Sequence, residues 1–212
     1  MNDNLPARRG RKSEISRGQI LDAAARMLRR QGYGNTTLRA IADVAGIQAG
    51  SIYYHFASKD EIMDAVLERG VAAVYEAVHD QLAALPVGTD HLKRIETAVI
   101  AHLEALLSHG DYTSASIRTY GEVPAAFQQK AQPLREAYVT LWQELLGAAQ
   151  RDGAIRADLD TSLLRTLLLG SLNWCVEWYD PSQRPVREVA AQAVDVLFRG
   201  VVPAYVPPSP KE

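Results

Sequence analysis

Residues 36–62 read TTLRAIADVAGIQAGSIYYHFASKDEI, and this stretch decides the fold. Leu38, Ile41, Ala42 and Ala45 recur three and four residues apart, the spacing of one buried helical face. Thr36 and Thr37 offer hydroxyls to cap the first turn, and Gly46 ends the helix. A turn over residues 45–48 leads into a second short helix expected over 49–55. Ser58 and Glu61 then have the Ser-x-x-Glu spacing of a capping box, which starts a longer helix. Two short helices around a glycine-containing turn form a helix-turn-helix, whose second helix enters the major groove of DNA.

Outward from this stretch the helical period continues. Upstream, Ile20, Leu21, Ala24, Met27 and Leu28 form a stripe that stops at Gly32. Downstream, the helix begun at Ser58 should run to about Leu85, before Pro86 and Gly88. Further helices are expected over 90–108, 112–120, 125–151, 161–179 and 186–200, with Pro133 kinking or splitting the third and Asp160 or Thr161 capping the fourth. Alternating strand patterns are missing, so the class is all-α. The expected organisation is a flexible basic arm at 1–14, a helix-turn-helix DNA-binding domain at 15–60, an effector-binding and dimerisation domain at 61–203, and a frayed, proline-rich tail at 204–212.

Charge divides along the same line. Residues 1–60 hold ten Lys/Arg against five Asp/Glu, and the rest of the chain thirteen against twenty. A basic end on an acidic body suits a protein that offers one end to a polyanion. The lone cysteine, Cys175, lies in an apolar run and excludes an internal disulfide, which fits a reducing cytoplasm. No apolar stretch of signal-peptide length follows Arg8, Arg9, Arg11 and Lys12. The apolar-rich run 163–179 is interrupted by Arg165, Asn173 and Glu177, so it reads as a buried helix and not a membrane span. No phosphate loop, nucleophile elbow or His-Glu-x-x-His motif supports catalysis. His102 and His109, two turns apart, are a weak metal pair, and neither metal nor cofactor is expected.

Within the helix-turn-helix, Ile41, Ala42, Ile47 and Ile52 have the spacing to pack inward. Gln48 and Ser51 then become candidates for base contacts, and the small Ala49 and Gly50 let the backbone approach the duplex. Tyr53, His55 and Lys59 are candidates for phosphates, together with Thr36, Thr37 and the basic arm. Tyr54 is expected to close the headpiece core in part.

Taken in register, residues 20–67 resemble the TetR family of repressors. The likeness is carried by Gly32-Tyr33, Thr36-Thr37, Ile41-Ala42, Ala45-Gly46, Gly50, Tyr53, His55-Phe56, Lys59 and the acidic Asp60. Gln48 departs from the serine or similar small residue more usual there. The resemblance implies an obligate homodimer, a palindromic double-stranded operator and a variable helical C-terminal domain. A looser likeness, in GAIRADLD (153–160) and LLLGSLNWCVEWYDP (167–181), is to TetR-type regulators of fatty-acid and steroid catabolism that respond to acyl-CoA thioesters.

Two helices of the body carry the expected dimer surface: Leu164 and Leu168 on the first, and Val189, Ala193, Val196, Leu197 and Gly200 on the second. The first is apolar almost all round and must be covered on both sides. Its opposite side, with Trp174 and Trp178, is expected to line an effector pocket with Tyr112, Tyr120, Phe127 and Trp142. Arg118, Glu122 and Asn173 would orient a polar group there, and Arg118, Arg135 or Arg165 would meet an anionic head. A multidrug-sensing repressor and an effector-free DNA-binding dimer are the alternatives.

Overall fold

The computed structural model describes residues 5–108, 110–119, 121–122 and 129–199, and the side chains from residue 14 to residue 197 within them. These residues form helices α1 (Leu5–Gln31), α2 (Leu38–Ala45), α3 (Ala49–Ile52), α4 (Lys59–Ala83), α5 (His91–Ser108), α6 (Gly110–Thr119), α7 (Ala131–Arg151), α8 (Thr161–Asn173), α9 (Cys175–Trp178) and α10 (Val186–Arg199). None of them is long and apolar enough to cross a membrane.

Several boundaries depart from expectation. Residues from Leu5 onward, expected in a flexible arm, continue α1. Pro6 lies in its first turn, where a missing N–H costs nothing, and the Arg, Lys and Glu that follow are good helix formers. Helix α3 ends at Ile52 instead of about residue 55, because the chain tightens: Tyr54 N–H bonds the Ser51 carbonyl and His55 N–H the Ile52 carbonyl. Pro133 neither kinks nor splits α7, which begins at Ala131 and so keeps the proline in its first turn. The expected helix 161–179 is two, with Trp174 at the joint between α8 and α9.

The caps explain why the headpiece is so regular. Thr37 Oγ1 accepts from Ala40 N–H, and Gly46 closes α2 with φ +68°, a left-handed conformation that a side chain would strain. Ser58 Oγ accepts from Glu61 N–H while the Glu61 carboxylate accepts from Ala57 N–H, a capping box reaching one residue further back.

Helix α4 joins two cores. Its first turns, with Ile62, Met63 and Val66, pack under Ile20, Leu28, Ile41, Ile52 and Phe56 in the headpiece. Further along, Val78 joins the body core of Ile95, Val99, Leu103, Trp142, Leu146 and Leu172. Helix α6 crosses α4 closely, and Gly70 is what permits it: a Cβ there would lie 2.6 Å from the Tyr112 carbonyl oxygen.

Candidate nucleic-acid interface and internal cavity

The headpiece buries Ile41, Ala42, Ile52 and Phe56 and half-buries Ile47, leaving Gln48, Ala49, Gly50, Ser51 and Tyr53 outside on and around α3. Tyr54, expected in part inside, is 81% exposed, and Phe56 closes the core in its place. A tyrosine can leave the core here because the turn after Ile52 carries the chain out and back within four residues.

Thr36 is fully buried and its hydroxyl donates to the Gly32 carbonyl, so it is structural and unavailable to DNA. Thr37 is exposed but its hydroxyl oxygen already caps α2. Lys59, expected on a phosphate, donates from Nζ to the Tyr33 carbonyl at 2.6 Å and lies 3.9 Å over the Tyr33 ring. The next residue, Asp60, accepts the Tyr33 hydroxyl proton, and that bond, with burial, pushes the phenol up to about 12. Tyr33, Lys59 and Asp60 are therefore a clasp holding the end of α1 to the start of α4. His55 is half-buried, its ring edge-on to Tyr54 at 5.1 Å. The side chains of Arg8, Arg9, Arg11 and Lys12 lie outside the described residues.

In the body, a cavity of about 80 Å³ is walled by all five helices α4 to α8 through Gly70, Val74, His102, Thr113, Ser116, Arg135, Tyr138 and Asn173. His102 is 1% exposed on the apolar face of α5. Its Nδ1 is 2.6 Å from the Tyr138 hydroxyl, the two rings stacking within 4° of parallel, and no well-formed hydrogen bond satisfies its Nε2 among the described residues. Burial pushes the imidazole down to about 4, although the Asn173 amide beside it pulls the other way. Burial likewise raises the Tyr138 phenol, so both groups are uncharged at neutral pH. Outside this cavity an open groove of about 860 Å³ runs between α4, α5 and α7, past Tyr75, His79, His91, Arg94, Glu144 and Arg151. Tyr75 on the groove meets Tyr138 on the cavity edge-on at 6.3 Å, so these two rings stand between the two spaces.

Residues 20–66 match the family described as "Bacterial regulatory proteins, tetR family", and residues 88–201 match "Tetracyclin repressor-like, C-terminal domain", more than half of the chain. The chain belongs to the TetR family. Among its relatives, the HTH-type transcriptional repressor KstR2 of Mycobacterium tuberculosis (strain ATCC 25618 / H37Rv) is 30% identical over 198 residues, 87% of this chain and 92% of its own. KstR2 of Rhodococcus jostii (strain RHA1) is 29% identical over 94% of this chain and 95% of its own. The solved structure of the M. tuberculosis ketosteroid transcriptional regulator KstR2 superposes with a TM-score of 0.77 at 26% identity, over 87% of this chain and 93% of that one. AibR, crystallised with isovaleryl coenzyme A and operator DNA, shares the fold with a TM-score of 0.74 at 21% identity, over 90% of this chain and all of that one. This TetR-family protein is thus a transcriptional regulator with a DNA-binding helix-turn-helix on a helical C-terminal domain.

Of the residues expected to meet an effector, Asn173 and Arg135 are the two that line the internal cavity among the described residues. Trp142 is fully buried behind it, its ring edge-on to both His102 and Tyr138, because α7 turns that face inward. Tyr112 instead bridges helices: its hydroxyl donates to Asp22 on α1 at 2.6 Å and accepts from Arg69 on α4. Arg118 grips Glu177 on α9 with two donors and the Arg29 carbonyl with a third. Glu122 accepts from Tyr33 N–H. Those three tie body to headpiece. Tyr120 and Phe127 lie outside the described residues. Arg165 reaches Gln143 from α8, away from the cavity.

The two sides of α8 are also exchanged. Leu168 is buried in its own body core and Leu164, Val189, Ala193 and Leu197 pack against it, whereas Leu163, Leu167, Trp174 and Trp178 face out, with Trp174 65% exposed. Only Val196 of the expected dimer residues is exposed, and Gly200 lies outside the described residues. The apolar period is the same on both sides, so only packing partners could decide which turned inward. His102 and Tyr138 complete the cavity without having been expected there; a histidine within the apolar stripe Ile95, Ala98, Val99, Leu106 was the available signal.

Proposed function

We propose that this protein is a homodimeric repressor that holds a palindromic operator and is released by a small hydrophobic effector of the acyl-CoA thioester class. The observation that carries the reading is the placement of α4, which forms the floor of the headpiece at one end and a wall of the cavity at the other. Gln48 and Ser51 read bases, Ala49 and Gly50 allow close approach, and Tyr53, His55 and the basic residues of α1 meet phosphates. Two such helices read a palindrome only when a dimer sets them about one DNA turn, roughly 34 to 36 Å, apart. The outward Leu163, Leu167, Trp174, Trp178 and Val196 form the apolar face that a second copy would cover.

The chain's likeness to a KstR2 repressor over 94% of its length supports repression, and AibR, which shares the fold, forms a complex with isovaleryl coenzyme A and operator DNA. Here the acyl end would enter the cavity, and the anionic head would lie along the groove by Arg94 and Arg151. Release requires tighter binding to the conformer whose headpieces no longer match the operator. The links from Tyr112, Arg118 and Glu122 to α1 and Tyr33 carry that difference to the headpiece.

Selection of DNA fragments by the purified protein supplies an operator, which is then titrated with coenzyme A thioesters, free acids and apolar drugs. Release by thioesters is expected. Release by drugs alone would reject this class in favour of a multidrug sensor, and no response to any compound would leave an effector-free dimer. Leu167→Arg with Trp174→Arg should give monomers with lost operator binding; a retained dimer in light scattering would put the interface elsewhere.

A further inference from the structure

The wall of the cavity holds a buried ring nitrogen that lacks a well-formed hydrogen bond. His102 lies on this wall, almost wholly buried; its Nε2 makes no well-formed hydrogen bond among the described residues, and the Asn173 amide, also on the wall, is the neighbour that an entering ligand would have to displace from it. A polar atom buried in this way costs free energy unless something supplies its partner. The other ring nitrogen bears on what that partner would be. The Tyr138 hydroxyl is itself buried, and its contact with His102 Nδ1 at 2.6 Å is the acceptor in reach of its proton. We assign the Tyr138 hydroxyl as the donor to Nδ1, which places the ring proton on Nε2 and makes that nitrogen an N–H donor on the cavity wall.

We propose that His102 selects the effector by donating a hydrogen bond from Nε2 to an uncharged carbonyl oxygen entering the cavity between α4, α5, α6, α7 and α8. This inference rests on the reading of the body as an effector site and specifies the chemistry of the ligand's buried end. A hydrocarbon end leaves the donor unsatisfied. A carboxylate would be stripped of water against a neutral imidazole; Arg135, the cation on the wall, is the group that would draw one instead, and a carboxylate probe decides between the two. Thr113 is no competitor, because its hydroxyl donates to the Leu106 carbonyl at 2.6 Å.

The test uses full-length protein labelled with ¹⁵N-histidine and three probes small enough for the cavity: cyclopentanone, its hydrocarbon isostere methylenecyclopentane, and cyclopentanecarboxylate. Cyclopentanone should shift the His102 Nε2 resonance and bind about ten-fold more tightly than the hydrocarbon. His102→Phe should erase that preference while keeping hydrocarbon binding, with an unchanged circular dichroism spectrum and cooperative urea unfolding as the check on folding. Tyr138→Phe, which removes the hydroxyl that fixes the tautomer, should reduce the preference with the histidine still present. Equal binding of ketone and hydrocarbon by the unaltered protein, or tightest binding of the carboxylate, would overturn the proposal. So would a His102 resonance that no probe moves in protein that still releases operator to a thioester, and in that case the proposed function would stand without it. Silence to probes and thioesters alike would remove both.

Discussion

Headpiece and body share α4 yet enclose different chemistry. In the headpiece, Ile20, Leu28, Ile41, Ile52, Phe56 and Ile62 pack in hydrocarbon, and the buried Thr36 hydroxyl is tied to the Gly32 carbonyl. In the body, a similar hydrocarbon core also encloses His102, and a space opens beside it and beside the buried Thr113 and Ser116 of α6. A filled core holds surface side chains in one geometry, which reading DNA requires. A core with a polar-lined space instead has somewhere for binding energy to act on its packing.

Matched truncations test this contrast most severely. Leu28 and Leu106 are each 1% exposed, but Leu28 sits in the headpiece core and Leu106 borders the cavity. Leu28→Ala should cost about 4 to 5 kcal/mol and Leu106→Ala about 2 to 3 kcal/mol, because the second side chain has fewer contacts to lose. Urea denaturation measures both. Equal losses would mean that the body is packed as completely as the headpiece.

Acid should separate the two cores next. The His102 imidazole sits at about 4 in the folded protein against 6.5 for the free group, so below 6.5 the unfolded chain takes up a proton that the folded chain refuses. Stability is thus unaffected by His102 at higher pH and is lost as pH falls from about 6.5 to about 4, by about 3 kcal/mol in all. The difference between the unaltered protein and His102→Phe isolates this loss from that of the carboxylates. A difference that does not change with pH would show the ring to be hydrated.

These contrasts were unequally legible in the sequence. The headpiece could be read because its signals are local: Thr37, Gly46, Ser58 and Glu61 act within four residues of themselves, and their caps form as expected. The body depends on which faces meet across long separations. Leu164 and Leu163 belong to the same apolar helix, and nothing within that helix says which turns to α5 and α7 and which to solvent. Lys59 shows the limit from the other side, since its charge suggested a phosphate while its position, next to Asp60 and over Tyr33, makes it a clasp.

A smaller effect should come from forcing the shared helix away from α6. In Gly70→Ala the added methyl would meet the Tyr112 carbonyl oxygen at 2.6 Å and the Ser116 Cβ at 2.8 Å, so backbone must move. The expected cost is about 1 to 3 kcal/mol. Because Tyr112 is also bonded to Asp22 on α1, the displaced α6 should weaken operator binding without any effector. A variant with normal operator affinity and reduced stability would show that α6 moves without the headpiece following.

The smallest expected effect lies at the other end of α4, where Ser58→Ala removes the hydroxyl oxygen that accepts from Glu61 N–H at 3.1 Å. Loss of such a cap costs about 1 kcal/mol, and Ser58→Asp, which caps equally and places a negative charge at the helix N-terminus, should restore it. The first turn that would fray carries Lys59 and Asp60, the two residues that hold Tyr33. Loosening it therefore acts on the headpiece, while the cavity begins more than two turns further on, at Gly70. Ser58→Ala should lower operator affinity and leave the relative affinities for cyclopentanone and methylenecyclopentane unchanged. If the probe preference shifts along with operator affinity, α4 transmits a change in its first turn to the cavity as one rigid body, and the division between a filled headpiece and an adaptable body fails at the helix that joins them.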